Sequence, residues 1–135
     1  MLGERNVNPG FVILAAAGFA VAVVAPAWAF FNVTVPFPPM LADDHGVTTL
    51  NTPVDINLVA NDADADGRID LSSVTILTQP AHGIATVNPQ TGVCTYAPEL
   101  GYAGIDRFSY QVQDDEGIKS NVGFVAVKVK SQPNE

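Results

Sequence analysis

The chain has 135 residues, 47% of them hydrophobic and 15% charged, which is room for one modest domain and one further segment. Its one cysteine excludes an intramolecular disulfide framework and a Cys-based zinc cluster, so packing alone must hold any core. A formal charge of −8 opposes contact with a phosphate backbone, which needs clustered Lys and Arg, and nucleic acid is not an expected partner.

The charge divides the chain. Glu4 and Arg5 cancel, no ionisable side chain follows from Asn6 to Ala42, and Arg68, Arg107, Lys119, Lys128 and Lys130 then face every acid except Glu4. Within the uncharged stretch, residues 11–31 read FVILAAAGFAVAVVAPAWAFF, a run of 21. As a helix at about 1.5 Å per residue it spans about 30 Å, the thickness of a bilayer core. Asn8 suits the N-cap and Pro9 the first helical position, where a missing N–H costs nothing. Pro26 kinks or ends the last turn, and Trp28, Phe30 and Phe31 suit the water interface. The expectation is a single-pass transmembrane helix over 9–31, acting as a signal anchor. Arg5 and the terminal amine mark residues 1–8 as a short cytoplasmic N-terminus, so the C-terminal domain is periplasmic or otherwise extracytoplasmic.

The same run also fits a secretory signal peptide, with Arg5 in the n-region, an h-region over 11–24 and Ala27-Trp28-Ala29 as an A-x-A site cleaved after Ala29. No cysteine follows the run, which excludes a bacterial lipoprotein anchor. If the helix is retained, small residues at four-residue spacing, such as Gly18 and Ala22, let another helix approach closely. Integral-membrane protein contacted through this Ala/Gly face is therefore an expected partner, beside the lipid bilayer itself.

Residues 32–41, NVTVPFPPML, hold three prolines and no charge and read as an extended, stiff linker. Asn32 begins an Asn-Val-Thr sequon. Residues 42–135 form the second domain, in which short alternating segments are separated by turn signals, the pattern of a β-sandwich. Strands are expected near 47–50, 54–58, 73–78, 83–88, 92–96, 106–113 and 121–130. Phe108, Tyr110 and Val112 face one side against Arg107, Ser109, Gln111 and Gln113, and Val125, Val127 and Val129 oppose Lys128 and Lys130. Tyr96 joins Phe108, Tyr110, Val112 and Val125 in the expected core of an all-β, seven-stranded antiparallel sandwich.

Six elements in this order, NTPV, NDADADG, PAHG, TGVCTYAP, GYAGIDRFSY and QDDEG, carry a family resemblance. Residues 42–130 resemble one copy of the bacterial cadherin-like, immunoglobulin-like tandem-repeat domains of secreted and surface proteins. The resemblance implies an Ig/cadherin-like fold and, for function, contacts with other extracytoplasmic protein surfaces.

Asp62, Asp64 and Asp66 with Gly67 form D-x-D-x-D-G, three carboxylates around a tight turn that suit an oxygen-liganded cation such as calcium. It is no EF-hand, because the twelfth position is Ser73 and strands flank the loop. The resemblance implies cadherin-like calcium binding here, joined by Asp43, Asp44, Asp114 or Asp115 if the fold brings them to the same end. The alternative is a solvated acidic turn held by Asx hydrogen bonds. His82 in Pro80-Ala81-His82-Gly83 reads as a turn residue, His45 as an exposed linker residue or an addition to a metal site, and Cys94 as a small core residue. There is no nucleophile elbow, no HExxH and no glycine-rich phosphate loop, so no enzyme is expected and no catalytic residue is assigned. The expected function is a non-enzymatic, membrane-anchored subunit of a larger membrane protein complex; the alternative is a secreted calcium-binding adhesion module.

Overall fold

Period-two alternation makes strands because successive side chains leave a pleated backbone on opposite faces, and one face can then be buried. A computed structural model describes residues 10–16, 19–25 and 35–132 and divides the chain into two units, Met1–Pro36 and Phe37–Glu135.

In the first unit, β1 (Gly10–Ala16) and β2 (Phe19–Ala25) pair antiparallel, with Gly10 opposite Ala25 and Ala16 opposite Phe19. This differs from the helix expected over 9–31. An unbroken apolar run carries no period to separate helix from strand, and its valines, isoleucine and phenylalanines also suit a ladder. Among the described residues no helix is long and apolar enough to cross a membrane. The expected N-cap at Asn8, the kink at Pro26, the Trp28 interface, the cleavage site after Ala29 and the Asn32 sequon lie outside the described residues.

The second unit holds β3 (Asp44–Thr49), β4 (Val54–Asn57), β5 (Ile69–Thr78), β6 (Gly83–Val87), β7 (Val93–Pro98), β8 (Gly104–Asp114) and β9 (Gly123–Lys130). They form a four-stranded sheet ordered β3-β9-β8-β5 and a three-stranded sheet ordered β4-β7-β6. Only β6–β7 and β8–β9 are hairpins within a sheet; the other connections cross between sheets. All seven expected segments are found. The expectation of a wholly antiparallel sandwich is corrected in one place: β3 runs parallel to β9, Asp44 opposite Val125 through Thr49 opposite Lys130. The chain enters β3 at the end where β9 begins, and it leaves at the opposite end for the other sheet, so no hairpin imposes an antiparallel pairing on it.

Tyr96, Phe108, Tyr110, Val112 and Val125 are all at 2% exposure or less, and Cys94 is fully buried beside them. The Tyr96 and Phe108 rings lie nearly parallel, 4° apart, with centroids at 6.5 Å. Glycine is required where strands pass over these tyrosines: a Cβ on Gly83 would stand 2.6 Å from the Tyr96 ring, and one on Gly123 would stand 2.5 Å from the Tyr110 ring. The unit begins before residue 42. Pro39 is fully buried, Leu41 is buried, and Met40 exchanges backbone hydrogen bonds with Ala63 at 2.8 and 3.1 Å.

Candidate functional site

Strand directions gather the acidic loops at one end of the sandwich: the entering strap 37–43, the β4–β5 loop with Asp62, Asp64 and Asp66, and the β8–β9 turn with Asp114 and Asp115. The three carboxylates proposed for calcium have separate partners there. Asp62 points inward, its Oδ1 accepting from Ala42 N at 2.9 Å and its Oδ2 from the Tyr110 hydroxyl at 2.9 Å. Asp66 Oδ2 accepts from Phe37 N at 3.0 Å, and Asp64 Oδ1 accepts from Asp66 N at 3.3 Å. Among the described residues no group of three Asp, Glu, His or Cys side chains is arranged to hold a metal ion. Two of the three, Asp62 and Asp66, instead tie the strap to the loop.

The remaining acids at this end are mostly engaged in the same way. Asp43 Oδ1 accepts from Phe124 N at 3.3 Å, and Asp114 Oδ1 accepts from Glu116 N and Ile118 N at 2.9 and 2.8 Å, holding its own turn. Asp64 Oδ2 is buried without a hydrogen-bond partner. Gly67 lies close to both it and Asp115: a Cβ there would stand 3.4 Å from Asp64 Oδ2 and 2.5 Å from Asp115 Oδ1, which accepts from Arg68 N at 3.2 Å.

Below this loop the Tyr110 hydroxyl faces three acceptors, Leu58 O at 2.7 Å and Asp44 Oδ2 and Asp62 Oδ2 at 2.9 Å each. One O–H proton serves one acceptor fully, so the two carboxylates share too few donors. Burial pushes Asp44 up to about 6, against the Tyr110 hydrogen bond and with help from the neighbouring Asp62 charge. Asp62 and Tyr110 are also raised, each chiefly by burial.

The sign for stability follows. Asp44 titrates higher in the folded chain than its ordinary 3.8, so its favourable contribution is complete below that value and is lost as pH rises through about 6. We expect this group to remove about 2–3 kcal/mol of unfolding free energy between pH 4 and 7. Asp44→Asn should therefore be more stable than wild type at neutral pH and flatten that slope in urea titrations. A variant with an unchanged slope and lower stability at every pH would contradict it.

At the opposite end Asp106, 3% exposed, gathers the β5–β6 turn. Its Oδ1 accepts from Ala81 N at 3.0 Å, and its Oδ2 accepts from His82 N at 2.8 Å and the Tyr96 hydroxyl at 3.0 Å. PAHG, TYAP and GIDRF are thus one assembly. The His82 ring stacks on Tyr102 with centroids 4.3 Å apart, and its Nδ1 lies 3.5 Å from Glu99 Oε2. Its backbone amide makes it a turn residue. Beside it Gln79 acts as a short strand: its Oε1 accepts from Ala85 N at 3.0 Å and its Nε2 donates to Ala85 O at 3.1 Å, which blocks part of the β6 edge. Sequence reasoning missed Asp106 and Gln79; an acid at an inward position of β8 was the available signal for the first.

His45 lies on β3 and is exposed, not in a linker. The Cys94 thiol is pushed up to about 11, chiefly by burial, and is not a nucleophile at neutral pH.

Residues 36–127 match the family described as bacterial Ig domain. No curated protein matches the chain. Among solved structures, a 2,6-sialyltransferase of Vibrionaceae Photobacterium sp. JT-ISH-224, in ternary complex with CMP and lactose, is 12% identical with a TM-score of 0.42. That alignment covers 68% of this chain and 18% of the transferase chain, so the chain spans less than a fifth of it. The PKD domain from the KIAA 1837 protein is 20% identical with a TM-score of 0.43, over 68% of this chain and 87% of that domain.

Proposed function

Because this chain belongs to the bacterial Ig domain family, we propose that it is a non-enzymatic interaction module, held by its N-terminal apolar run in a membrane and presenting the sandwich on the extracytoplasmic side to a larger membrane complex. The observation that carries the anchor is the uncharged run of 21 residues. In hydrocarbon a two-stranded pair leaves its edge amides without partners, whereas a helix satisfies them within one segment. In water an isolated hairpin is marginal at best. A bilayer therefore favours the helix over 9–31, with the Gly18 and Ala22 face toward another span.

The expected result is that the protein stays in the membrane pellet after a carbonate wash and brings down stoichiometric integral-membrane partners in mild detergent. Gly18→Leu with Ala22→Leu should weaken that recovery by blocking close approach. Complete release by carbonate would overturn the anchor. Phe30 as the first residue of the purified protein would favour the secreted module, cleaved after Ala29.

A calcium role at the acidic end is a second reading, favoured by the bare, buried Asp64 Oδ2, with Asp115 as the further carboxylate beside Gly67. Two carboxylates with waters and backbone carbonyls would bind weakly, with Kd about 0.1 to 1 mM as in extracellular modules. Calcium at millimolar concentration should then raise the melting temperature of wild type but not of Asp64→Asn. Equal melting shifts in both would leave only a solvated turn.

A further inference from the structure

The outer face of the four-stranded sheet has a chemistry of its own. The register sets Val47, Lys128 and Ile105 in one row across β3, β9 and β8, and His45, Ala126 and Arg107 in the next. Phe124 opposite Ser109 flanks these rows on one side, and Lys130 opposite Thr49 on the other. Val47, Ile105 and Phe124 are each more than half exposed, at 56%, 54% and 58%. No outward position of these rows carries Asp or Glu, although the chain has 14 acids against six Lys and Arg. Among the described residues, none of Arg107, Lys128 and Lys130 has a carboxylate within ion-pair distance. Phe124, Arg107 and His45 wall a depression of about 260 Å³ over Ala126, with Asp43 and Asp44 also lining it.

We propose that this face docks an acidic polypeptide segment of a partner protein, seating one large apolar side chain between Phe124 and Arg107 and setting flanking carboxylates on Arg107, Lys128 and Lys130. The proposal rests on the interaction-module reading and names the surface and partner chemistry that reading leaves open. Charge complementarity selects the occupant. Three cations without an ion-pair partner among the described residues attract carboxylates locally, Arg107 despite Asp43 and Asp44 in the same depression, within a chain whose net −8 charge repels most acidic surfaces. An anionic bilayer is a poorer match, because about 1 kcal/mol per cation is set against the repulsion of every other acid. A second copy docked face to face would oppose cations to cations.

The test uses the full chain in detergent micelles with labelled methyl groups, titrated with a synthetic peptide alternating Phe and Glu and with its Phe-Lys counterpart. The expected result is that the Phe-Glu peptide shifts the methyl signals of Val47, Ile105 and Ala126, that added salt weakens it, and that the Phe-Lys peptide does nothing. Arg107→Glu with Lys128→Glu, both at exposed positions, should weaken binding about tenfold or more while leaving the melting temperature unchanged. Equal affinity in that variant, or shifts confined to other residues, would overturn the assignment. So would a flat peptide titration accompanied by charge-dependent binding to phosphatidylglycerol vesicles, or by dimerisation that the variant abolishes. A failed anchor would appear in the carbonate wash and leave the peptide result intact.

Discussion

Tyr110→Ala should lower the unfolding free energy by roughly 3 to 5 kcal/mol, the range for large aromatic truncations in cores and a large fraction of an ordinary domain's stability. The ring is fully buried on β8, beneath Gly123 of β9. Its hydroxyl is the shared partner of Asp44, Asp62 and Leu58 O, so it also joins the entry strand and the acidic loop to the core. Tyr110→Phe separates the two contributions. It keeps the ring and removes the proton, and should cost about 1–3 kcal/mol, because Leu58 O loses its donor and two carboxylates face each other unscreened. That loss should shrink at low pH, where Asp44 becomes protonated and can itself donate. Urea titrations of the three proteins at pH 4 and 7 check it; a Phe variant as stable as wild type at both values would show that the hydroxyl network contributes nothing.

Asp106→Ala should cost about 3 kcal/mol or more, because it strips the acceptor from three backbone amides, those of Ala81, His82 and Arg107, and from a buried phenol together. The Tyr96 hydroxyl is raised well above the ordinary phenol range, by burial first and then by its hydrogen bond to Asp106, and cannot ionise to compensate. Asp106→Asn should recover part of the loss, since its one carbonyl oxygen still accepts from the turn. The turn itself is the distinguishing readout: hydrogen exchange at Ala81 and His82 should accelerate in the Ala variant by far more than at β9 amides. Uniform acceleration across the sandwich would mean that Asp106 acts on global stability alone.

The seven strands and five core residues were legible because strand formation and burial are written locally, as a period of two with glycine and proline between segments. The turn role of His82 was legible from its neighbours in PAHG, and Cys94 from its alternation with Val93 and Thr95. The spacing D-x-D-x-D-G showed that three carboxylates share a loop, but spacing along a chain does not say which way each side chain turns. That depended on residues 20 to 48 positions away, as Ala42 and Tyr110 took Asp62 and Phe37 took Asp66.

The parallel pairing of β3 with β9 and the docking of Pro39 and Leu41 were equally hidden, since neither leaves a local pattern. The basic, apolar outer face was half visible: alternation puts Lys128 and Lys130 outward on β9, yet only the register sets them beside Val47, Ile105 and Arg107. By itself, then, the sequence determined the class of fold, the inward faces and the separation of an uncharged run from an acidic domain, because those follow from hydrophobicity and period. Tertiary structure decided which acids become structural acceptors and which cations share a surface, because both depend on strands that are distant in the chain and adjacent in the sheet.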